Sequence, residues 1–313
     1  MRDYSKKNEY KNEYKVETKN QWRDQLKGHL KKLAAVALST VTLSLSLAGC
    51  GAGADSASAD GKKVVKLGVV GTVYEELWAP AKEKLAQEGI DLQIQQFSDY
   101  TTPNNALDNG EIDLNAFQHQ IYLDTEVEHY NYKIQTVGYT FIIPLNLYSK
   151  KVKQVSEIKD GDTIAIPNDV TNGGRAIKVL EDAGLITLKA DASESPRVDD
   201  IENYNVKIQI KELAANTIPS VLPDVTAAIV NGNYALDYEL KVEDAVYKDS
   251  SLNESIYWNL VAARSADLED NDKKETYEKV IKAFQTDETK AIFDKNYGGY
   301  FIATGWDQDL LAK

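Results

Sequence analysis

Aromatic rings and polar side chains are interleaved in residues 112–123, directly after a short apolar stretch. The members of this cluster are Asn115, Phe117, Gln118, His119 and Tyr122. A core strand has no use for a Gln-His pair at its end, whereas a pocket for a small molecule with an apolar body and polar ends needs this mixture. Tyr100, Phe117 and Tyr122 with His119 could line an apolar slot, and aromatic edges favour a thioether sulfur by about 0.3–1.5 kcal/mol. Without His119, Phe117 and Tyr122 would read as ordinary core aromatics.

A basic side chain follows a polar, glycine-rich loop in the second half of the chain. Arg175 comes directly after residues 168–174, which read Asn-Asp-Val-Thr-Asn-Gly-Gly and lead from a predicted strand into a helix. A guanidinium offers a planar fork that matches a carboxylate, and a helix N-terminus adds unpaired N–H groups and a favourable dipole. The pattern predicts a seat for the α-carboxylate of an amino acid. A surface Arg paired with an acidic neighbour is the alternative.

Three asparagines could complete such a seat. The side chains of Asn172, Asn231 and Asn259 could offer carbonyl oxygens to an ammonium and N–H groups to a carboxylate. An Asn near a Gly is more often a turn residue, and this alternative stays open. Asn259 differs from the others because it interrupts residues 258–263, a segment that should be an apolar strand.

Strands and helices alternate twice along the chain and would position these side chains. Strands are predicted at 64–70, 92–97, 112–116, 163–167, 206–213 and 225–230, with helices at 75–87, 104–107, 173–183 and 217–222. Two βαβαβ units predict an α/β fold with two lobes, each a mainly parallel sheet flanked by helices. Ligands bind beyond the carboxyl ends of such strands, and the polar clusters lie at those ends.

Two further apolar segments predict connections between the lobes. Residues 139–149 are long enough to leave the first lobe and enter the second, and residues 258–263 would bring the chain back. Two charged helices are predicted within residues 273–297. Two crossovers make a hinge, and hinge closure around a ligand is a standard device of binding proteins. The predicted first lobe comprises residues 63–142 and 257–313, and the second comprises residues 143–256.

The N-terminal region has the layout of an export signal. Residues 1–32 are polar and basic, and the uncharged residues 33–47 are too few to span a bilayer, which needs about 20. The sequence Leu47-Ala48-Gly49-Cys50 looks like a bacterial lipobox and ends in the only cysteine of the chain. We therefore expect a signal peptide over residues 1–49, lipidation of Cys50 and a flexible tether over residues 50–62. A weak membrane helix with an incidental cysteine is the alternative.

Composition and motifs argue against several classes of function. The net charge is −13 although the N-terminal region is basic, and this acidity argues against nucleic acid as a partner. The sequence contains no Gly-x-Ser-x-Gly elbow, no phosphate-binding loop and no clustered His/Cys metal pattern. We therefore expect no catalytic residues, no metal and no cofactor. An extracytoplasmic enzyme on the same scaffold is the alternative, since fold does not fix function. An additional role as a surface adhesin is also open.

Several short stretches share their order and spacing with one known family. They are Asp99-Tyr100 with Pro103-Asn104, Phe117-Gln118-His119 with Tyr122-Leu123, Tyr148-Ser149-Lys150-Lys151, Pro167-Asn168-Asp169, Thr171-Asn172 with Arg175-Ala176, Gly184-Leu185-Ile186 and Ile229-Val230-Asn231. The chain thereby resembles the NlpA family, the methionine-binding lipoproteins of methionine ABC importers. The resemblance implies a two-lobed fold like that of type II periplasmic binding proteins. It further implies an aromatic slot for the methionine side chain, made by Tyr100, Phe117, His119 and Tyr122. It assigns the amino and carboxyl groups to Asn172, Arg175, Asn231 and Asn259.

The resemblance also implies partners and a location. The expected partners are methionine, the permease and ATPase subunits of an ABC importer, and a membrane reached through the lipid at Cys50 on its extracytoplasmic face. The chain departs from the family at Ile121 and Val170, where prolines are usual, and in residues 71–74. These departures leave the ligand open between L-methionine, D-methionine, a methionine-containing dipeptide and another apolar amino acid.

Overall fold

Helices and strands alternate through residues 61–298 and 300–312, the part of the chain that the computed structural model describes. The strands are β1 Lys63–Val70, β2 Ile90–Phe97, β3 Leu114–Asn115, β4 Ile134–Tyr139, β5 Phe141–Ile142, β6 Leu145–Tyr148, β7 Thr163–Pro167, β8 Ile186–Leu188, β9 Ile201–Tyr204, β10 Gln209–Leu213, β11 Ala227–Asn231, β12 Ala245–Tyr247, β13 Leu260–Arg264 and β14 Ile302–Ala303. The helices are α1 Val73–Gln87, α2 Pro103–Asp108, α3 Gln120–Tyr130, α4 Val170–Asp182, α5 Ile218–Val221, α6 Gly232–Asp237, α7 Asn271–Phe284 and α8 Asp287–Tyr297. The predicted signal peptide and the predicted lipidation site, Cys50, lie outside the described residues.

The first sheet has the strand order β2–β1–β3–β13–β4. Strand β1 pairs in parallel with β2 and β3, whereas β13 pairs antiparallel with β3 and β4. Helices α1, α7 and α8 cover one face of this sheet. Their shared core contains large buried rings, among them Trp78, Phe284 and Phe293. This sheet with its helices is termed the first lobe.

The second sheet repeats this arrangement with the order β10–β7–β11–β6–β12. Strand β7 pairs in parallel with β10 and β11, and β6 pairs antiparallel with β11 and β12. Helix α4 packs on one face through residues such as Ile177 and Leu180. Helices α5 and α6 pack on the other face through residues such as Ile218 and Ala235. This sheet with its helices is termed the second lobe.

The predicted two-lobed α/β fold is observed, and in each sheet four of the five strands point the same way while one, β13 or β6, is reversed. The three strands of each βαβαβ unit run parallel, as the alternating pattern predicted. The other two strands of each sheet run antiparallel to their neighbours, and all four of these strands adjoin a passage of the chain between the lobes.

The chain passes between the sheets twice, as predicted, but the first passage is not a continuous strand. It runs from β4 to β6, and the predicted strand over residues 139–149 is divided into β5 and β6. Pro144 lies at the break, where a residue without an N–H cannot donate to a strand ladder. The second passage runs from β12 to β13.

Two element boundaries differ from the prediction in a way that affects the site. Helix α4 begins three residues earlier than expected, because the Asp169 side chain caps it by accepting the N–H of Asn172 at 2.9 Å. Strand β3 is shorter than predicted and leads into α3, a helix that the sequence analysis did not predict. His119 caps α3, with Nδ1 accepting the N–H of Tyr122 at 3.2 Å. Both predicted clusters therefore lie at helix N-termini.

The charged segment over residues 273–297 forms two helices, α7 and α8, as predicted. None of the helices described in residues 61–298 and 300–312 combines the length and the apolar character needed to cross a bilayer.

Candidate functional site

All eight side chains that the sequence analysis predicted to bind a ligand line one cavity between the two lobes. The first lobe supplies Tyr100, Phe117, His119 and Tyr122, the second supplies Asn172, Arg175 and Asn231, and the second passage of the chain supplies Asn259. The space between these side chains, including the part that is open to solvent, is about 430 Å³.

The first-lobe wall is built from three rings that touch one another. The ring centroids of Tyr100 and Phe117 are 5.9 Å apart, and that of Tyr122 lies 6.2 and 6.1 Å from them. The Tyr100 hydroxyl donates to Asn233 Oδ1 at 2.5 Å, and the Tyr122 hydroxyl donates to the Tyr100 carbonyl at 3.0 Å. Burial raises the pKa of both tyrosines, so both hydroxyls stay neutral. This wall suits an apolar side chain.

The hydrogen bonds around His119 hold its ring in one neutral form. Because Nδ1 accepts the N–H of Tyr122, the ring proton is on Nε2, 3.3 Å from Asn172 Oδ1. The amide nitrogen of Asn172 donates to the two carboxylate oxygens of Asp169 at 3.0 and 3.2 Å, so its oxygen faces the ring. Burial, with a smaller contribution from nearby Arg175, lowers the pKa of His119 to about 3. His119 is therefore uncharged at neutral pH.

Arg175 is buried and already has an ionic partner. Its Nη2 donates to Asp249 Oδ2 at 2.5 Å and to the Ile143 carbonyl at 3.2 Å, and its Nε donates to Ser251 Oγ at 3.0 Å. The guanidinium carbon lies 4.4 Å from the centroid of the Tyr257 ring. None of these contacts uses Nη1. The alternative interpretation of Arg175 therefore holds in part, but the ion pair lies inside the protein beside the cavity rather than on its surface.

The N-terminus of α4 contributes less to an anion seat than the sequence suggested. The carboxylate of Asp169 occupies this terminus, where it accepts the N–H of Asn172 and the hydroxyl of Thr171 at 3.1 Å. Burial raises the pKa of Asp169, although these hydrogen bonds oppose the increase. A ligand carboxylate would therefore depend on the guanidinium rather than on the helix dipole.

Asn231 lines the cavity and carries a buried polar atom that no group in the described part of the chain uses. Its Nδ2 donates to Asn172 Oδ1 at 2.7 Å, but within the described residues its Oδ1 has no hydrogen-bond partner. Asn231 is only 8% exposed. Buried polar atoms are nearly always hydrogen-bonded, so an unpaired oxygen in a cavity wall indicates a donor from a ligand or from water.

Backbone hydrogen bonds hold Asn259 in place, and the residue lines the cavity. Its N–H donates to the Phe141 carbonyl at 2.7 Å, and its carbonyl accepts the N–H of Thr140 at 2.8 Å. It also forms an isolated antiparallel bridge with His119. The second passage of the chain is thereby attached to the first-lobe wall.

Asn115 and Gln118, two polar residues of the predicted cluster, mainly stabilise the fold. The amides of Asn104, Asn115 and Gln118 hydrogen-bond to one another over 2.7–2.9 Å, and all three are buried. Gln118 also lines the cavity. A closed set of amides satisfies its own polar atoms, which explains how these residues are accommodated at the end of a core strand.

The cavity wall contains further residues that sequence reasoning missed as site residues. They are Tyr74, Ile143, Pro144, Leu145, Gly232 and Asn233. Asn233 follows Asn231 in the polar run after β11, so a signal for it existed. Nothing in the sequence marks Asp249 as the partner of Arg175, because the two residues are 74 positions apart.

Direct contacts hold the lobes together around the cavity. The N–H and the hydroxyl of Thr72 donate to Asp237 Oδ1 at 3.0 and 2.7 Å. Asn233 Nδ2 donates to the Val70 carbonyl at 3.0 Å. A glycine is needed at the start of α6, since a Cβ on Gly232 would lie 2.2 Å from Ile143 Cγ1. The lobes are therefore closed on one another.

Comparison with known proteins agrees with this arrangement. The chain matches the family model described as NlpA lipoprotein over residues 65–305. It is 42% identical over 244 residues to a probable D-methionine-binding lipoprotein MetQ of Pasteurella multocida (strain Pm70), covering 77% of this chain and 84% of that protein. It is 36% identical over 247 residues to the D-methionine-binding lipoprotein MetQ of Escherichia coli (strain K12), covering 77% and 88%.

Two solved structures share the fold. A nutrient-binding protein from Burkholderia cenocepacia bound to methionine has a TM-score of 0.72 and 38% identity, covering 77% of this chain and 99% of that one. The substrate-binding protein of a methionine transporter from Streptococcus pneumoniae has a TM-score of 0.73 and 30% identity, covering 77% and 95%. The family match spans both sheets and every residue that lines the cavity, and the chain belongs to the NlpA lipoprotein family.

Proposed function

We propose that this protein is the substrate-binding protein of an ABC importer, anchored to the extracytoplasmic face of the membrane through a lipid on Cys50. It binds methionine, or a closely related amino acid, between its lobes and delivers it to the permease and ATPase subunits. The observation that carries the proposal is one cavity between the two lobes whose wall combines a guanidinium, an unpaired amide oxygen and three aromatic rings. The relatives named as methionine-binding support methionine as the ligand.

The unused polar atoms match the two charged groups of an amino acid. The Nη1 group of Arg175 and the amide of Asn259 are suited to the carboxylate. The unpaired Oδ1 of Asn231 is suited to the ammonium, which has three donors and no acceptor. The side chain would then lie against Phe117 and its neighbouring rings, where a thioether gains from sulfur–aromatic contact.

The affinity that a transport protein needs is consistent with an enclosed site. A dissociation constant near 1 µM corresponds to about −8 kcal/mol. Methionine has about nine heavy atoms, so each would contribute close to 1 kcal/mol, which is near the ceiling for small ligands. An open groove would not supply this energy, whereas two closed lobes surround the ligand.

Several amino acids fit this description, and the relatives named for D-methionine make both enantiomers candidates. A methionine-containing dipeptide and other apolar amino acids are the alternatives. Thermal unfolding of the purified protein with each of the 20 amino acids, both methionine enantiomers and methionine dipeptides tests the proposal. A ligand at 100 times its Kd stabilises the folded state by about 2.7 kcal/mol, so we expect methionine to give the largest rise in Tm.

Incubating the protein with the same compounds tests whether it catalyses a reaction. A binding protein returns its ligand unchanged, so mass spectrometry after incubation should recover intact methionine. If none of the compounds raises the Tm, the proposed ligand class is wrong. If the ligand is consumed, the protein is an enzyme on the same scaffold.

A further inference from the structure

The hydroxyl of Tyr74 has no hydrogen-bond partner within the described residues, although Tyr74 is only 3% exposed. Tyr74 lies in the first turn of α1 and lines the cavity. Gly71, with a φ of +106°, turns the chain between β1 and this helix. The Tyr74 ring packs on Phe141, with 6.1 Å between the ring centroids. The first-lobe core therefore fixes the direction of the ring.

The nearby polar groups are already used by other partners. The Tyr100 hydroxyl donates to Asn233 Oδ1, and Asn233 Nδ2 donates to the Val70 carbonyl. The Tyr122 hydroxyl donates to the Tyr100 carbonyl. Tyr74 thus differs from the other two tyrosines of the cavity wall, whose hydroxyls are satisfied within the protein.

Tyr74 lines the cavity, and a hydroxyl without a protein partner in a cavity wall is available to a ligand or to water. Burial, and to a lesser extent the charge of Asp237, raises the pKa of Tyr74, so the hydroxyl keeps its proton and can donate. The groups suited to the ligand carboxylate and ammonium are Arg175, Asn231 and Asn259. The atom of the ligand that remains for Tyr74 is therefore one on the side chain.

We propose that Tyr74 is a specificity-determining residue whose hydroxyl donates a hydrogen bond to an acceptor atom on the side chain of the bound amino acid. This inference rests on the proposed function and adds the chemical class of the side chain. A sulfoxide oxygen is a strong hydrogen-bond acceptor and a thioether sulfur is a weak one. A methylene group cannot accept a hydrogen bond. A site with a buried hydrogen-bonding group discriminates against ligands that lack its partner.

Titration calorimetry with methionine, methionine sulfoxide and norleucine tests the inference on the purified full chain and its Tyr74→Phe variant. Norleucine replaces the sulfur with a methylene at similar size. Tyr74→Phe removes only the unpaired hydroxyl, so the fold should be kept. One hydrogen bond corresponds to roughly a three- to tenfold change in Kd. We expect Tyr74→Phe to raise the Kd of methionine sulfoxide by about tenfold and that of methionine by less. The Kd of norleucine should not change.

Tyr234→Phe is the matched control. The ring of Tyr234 lies 5.0 Å from that of Tyr100, but its hydroxyl donates to the Ser98 carbonyl at 3.3 Å and it does not line the cavity. Tyr234→Phe should therefore leave the three ligands in the same order of Kd as in the wild type. Equal changes for all three ligands in Tyr74→Phe, or no change for any, would overturn the assignment of Tyr74 while methionine binding stands. No binding of any of them to the wild type would overturn the proposed function itself.

Discussion

The two lobes have the same sheet order but bring different chemistry to the cavity. The first lobe contributes the rings of Tyr100, Phe117 and Tyr122 with a neutral His119. The second contributes amides and the guanidinium of Arg175. An amino acid has both an apolar side chain and two charged groups, so neither wall alone matches it. Closure of the lobes therefore assembles the site, because only the closed pair offers both kinds of contact.

Each lobe leaves a polar atom of the cavity wall without a partner among the described residues. In the first lobe it is the Tyr74 hydroxyl, since those of Tyr100 and Tyr122 have partners. In the second lobe it is Asn231 Oδ1. The guanidinium is nevertheless held rigidly by Asp249 and Ser251. A polar group that is positioned before the ligand arrives loses little further freedom on binding, which favours affinity.

Removing the second-lobe guanidinium should have the largest effect. Arg175→Ala leaves Asp249, which is fully buried, as an unpaired charge. Breaking such a pair typically costs about 3–5 kcal/mol. We expect urea unfolding to show a loss of this size and calorimetry to show no methionine binding.

The double variant Arg175→Ala/Asp249→Ala separates the two effects. It removes the unpaired carboxylate, so it should recover much of the stability lost in the single variant, but it still lacks the carboxylate seat. Restored methionine binding in the double variant would show that the guanidinium only supports the fold.

Phe117→Ala tests the first-lobe wall. It removes a ring that is 5% exposed, and the loss of sulfur–aromatic contact, about 0.3–1.5 kcal/mol, applies only to ligands with a sulfur. We expect Kd to rise up to about tenfold more for methionine than for alanine. Phe97→Ala is the control, since Phe97 is a first-lobe aromatic outside the cavity wall and should leave this ratio unchanged. Equal losses for both ligands in Phe117→Ala would place Phe117 outside the side-chain slot.

His119 lies between the two walls and should make binding dependent on pH. Burial in the closed structure lowers its pKa to about 3 from an ordinary value near 6.5, and we expect opening of the lobes to return the ring to water. A base with a lowered pKa stabilises the closed form fully above pH 6.5 and progressively less as the pH falls toward 3. We expect methionine Kd to rise up to about tenfold per pH unit below 6.5, and His119→Gln to remove this slope.

Glu126 has the opposite effect and must be controlled. Burial, followed by the charge of Asp169, raises its pKa to about 7. An acid with a raised pKa stabilises the folded form at low pH, and this stabilisation is lost as the pH rises through 7. The His119 comparison is therefore best made in a Glu126→Gln background. An unchanged Kd between pH 7.5 and 5.5 in that background would show that closure does not bury a titrating His119.

The smallest effect is expected from the contacts that join the lobes without touching the cavity. Asp237→Ala removes both hydrogen bonds from Thr72, each worth about 0.5–1.5 kcal/mol. We expect methionine Kd to rise about fivefold through faster dissociation, measured by stopped-flow. Thr72→Val removes one of the two bonds and should give a smaller change. An unaltered dissociation rate in both variants would mean that the ligand alone holds the lobes closed.

The positions of the predicted ligand residues could be predicted from sequence. Most of them lie near the end of a strand or the start of a helix, and Asn259 directly precedes β13. The alternation of apolar and polar residues marks those positions locally. The reversed strand of each sheet, β6 or β13, was not predicted, because its pairing with distant strands leaves no local pattern. The division of the first passage depended on Pro144, which was visible but was read as part of a strand.

Hydrogen bonds and ion pairs between residues far apart in the sequence could not be predicted. The pairing of Arg175 with Asp249 and the unpaired hydroxyl of Tyr74 depend on how the closed lobes and their cores meet. Asp169 was recognised as part of a motif, but its role as a helix cap that occupies the expected anion site required coordinates.

The most direct test is titration calorimetry of the purified protein with methionine at neutral pH. Closure of two complementary walls around one amino acid predicts a single site per chain. It also predicts a negative heat-capacity change, because apolar surface of the rings and ligand is buried together. Saturable binding at a ratio of one with a negative heat-capacity change would support the account. The absence of saturable heat for either methionine enantiomer would contradict it.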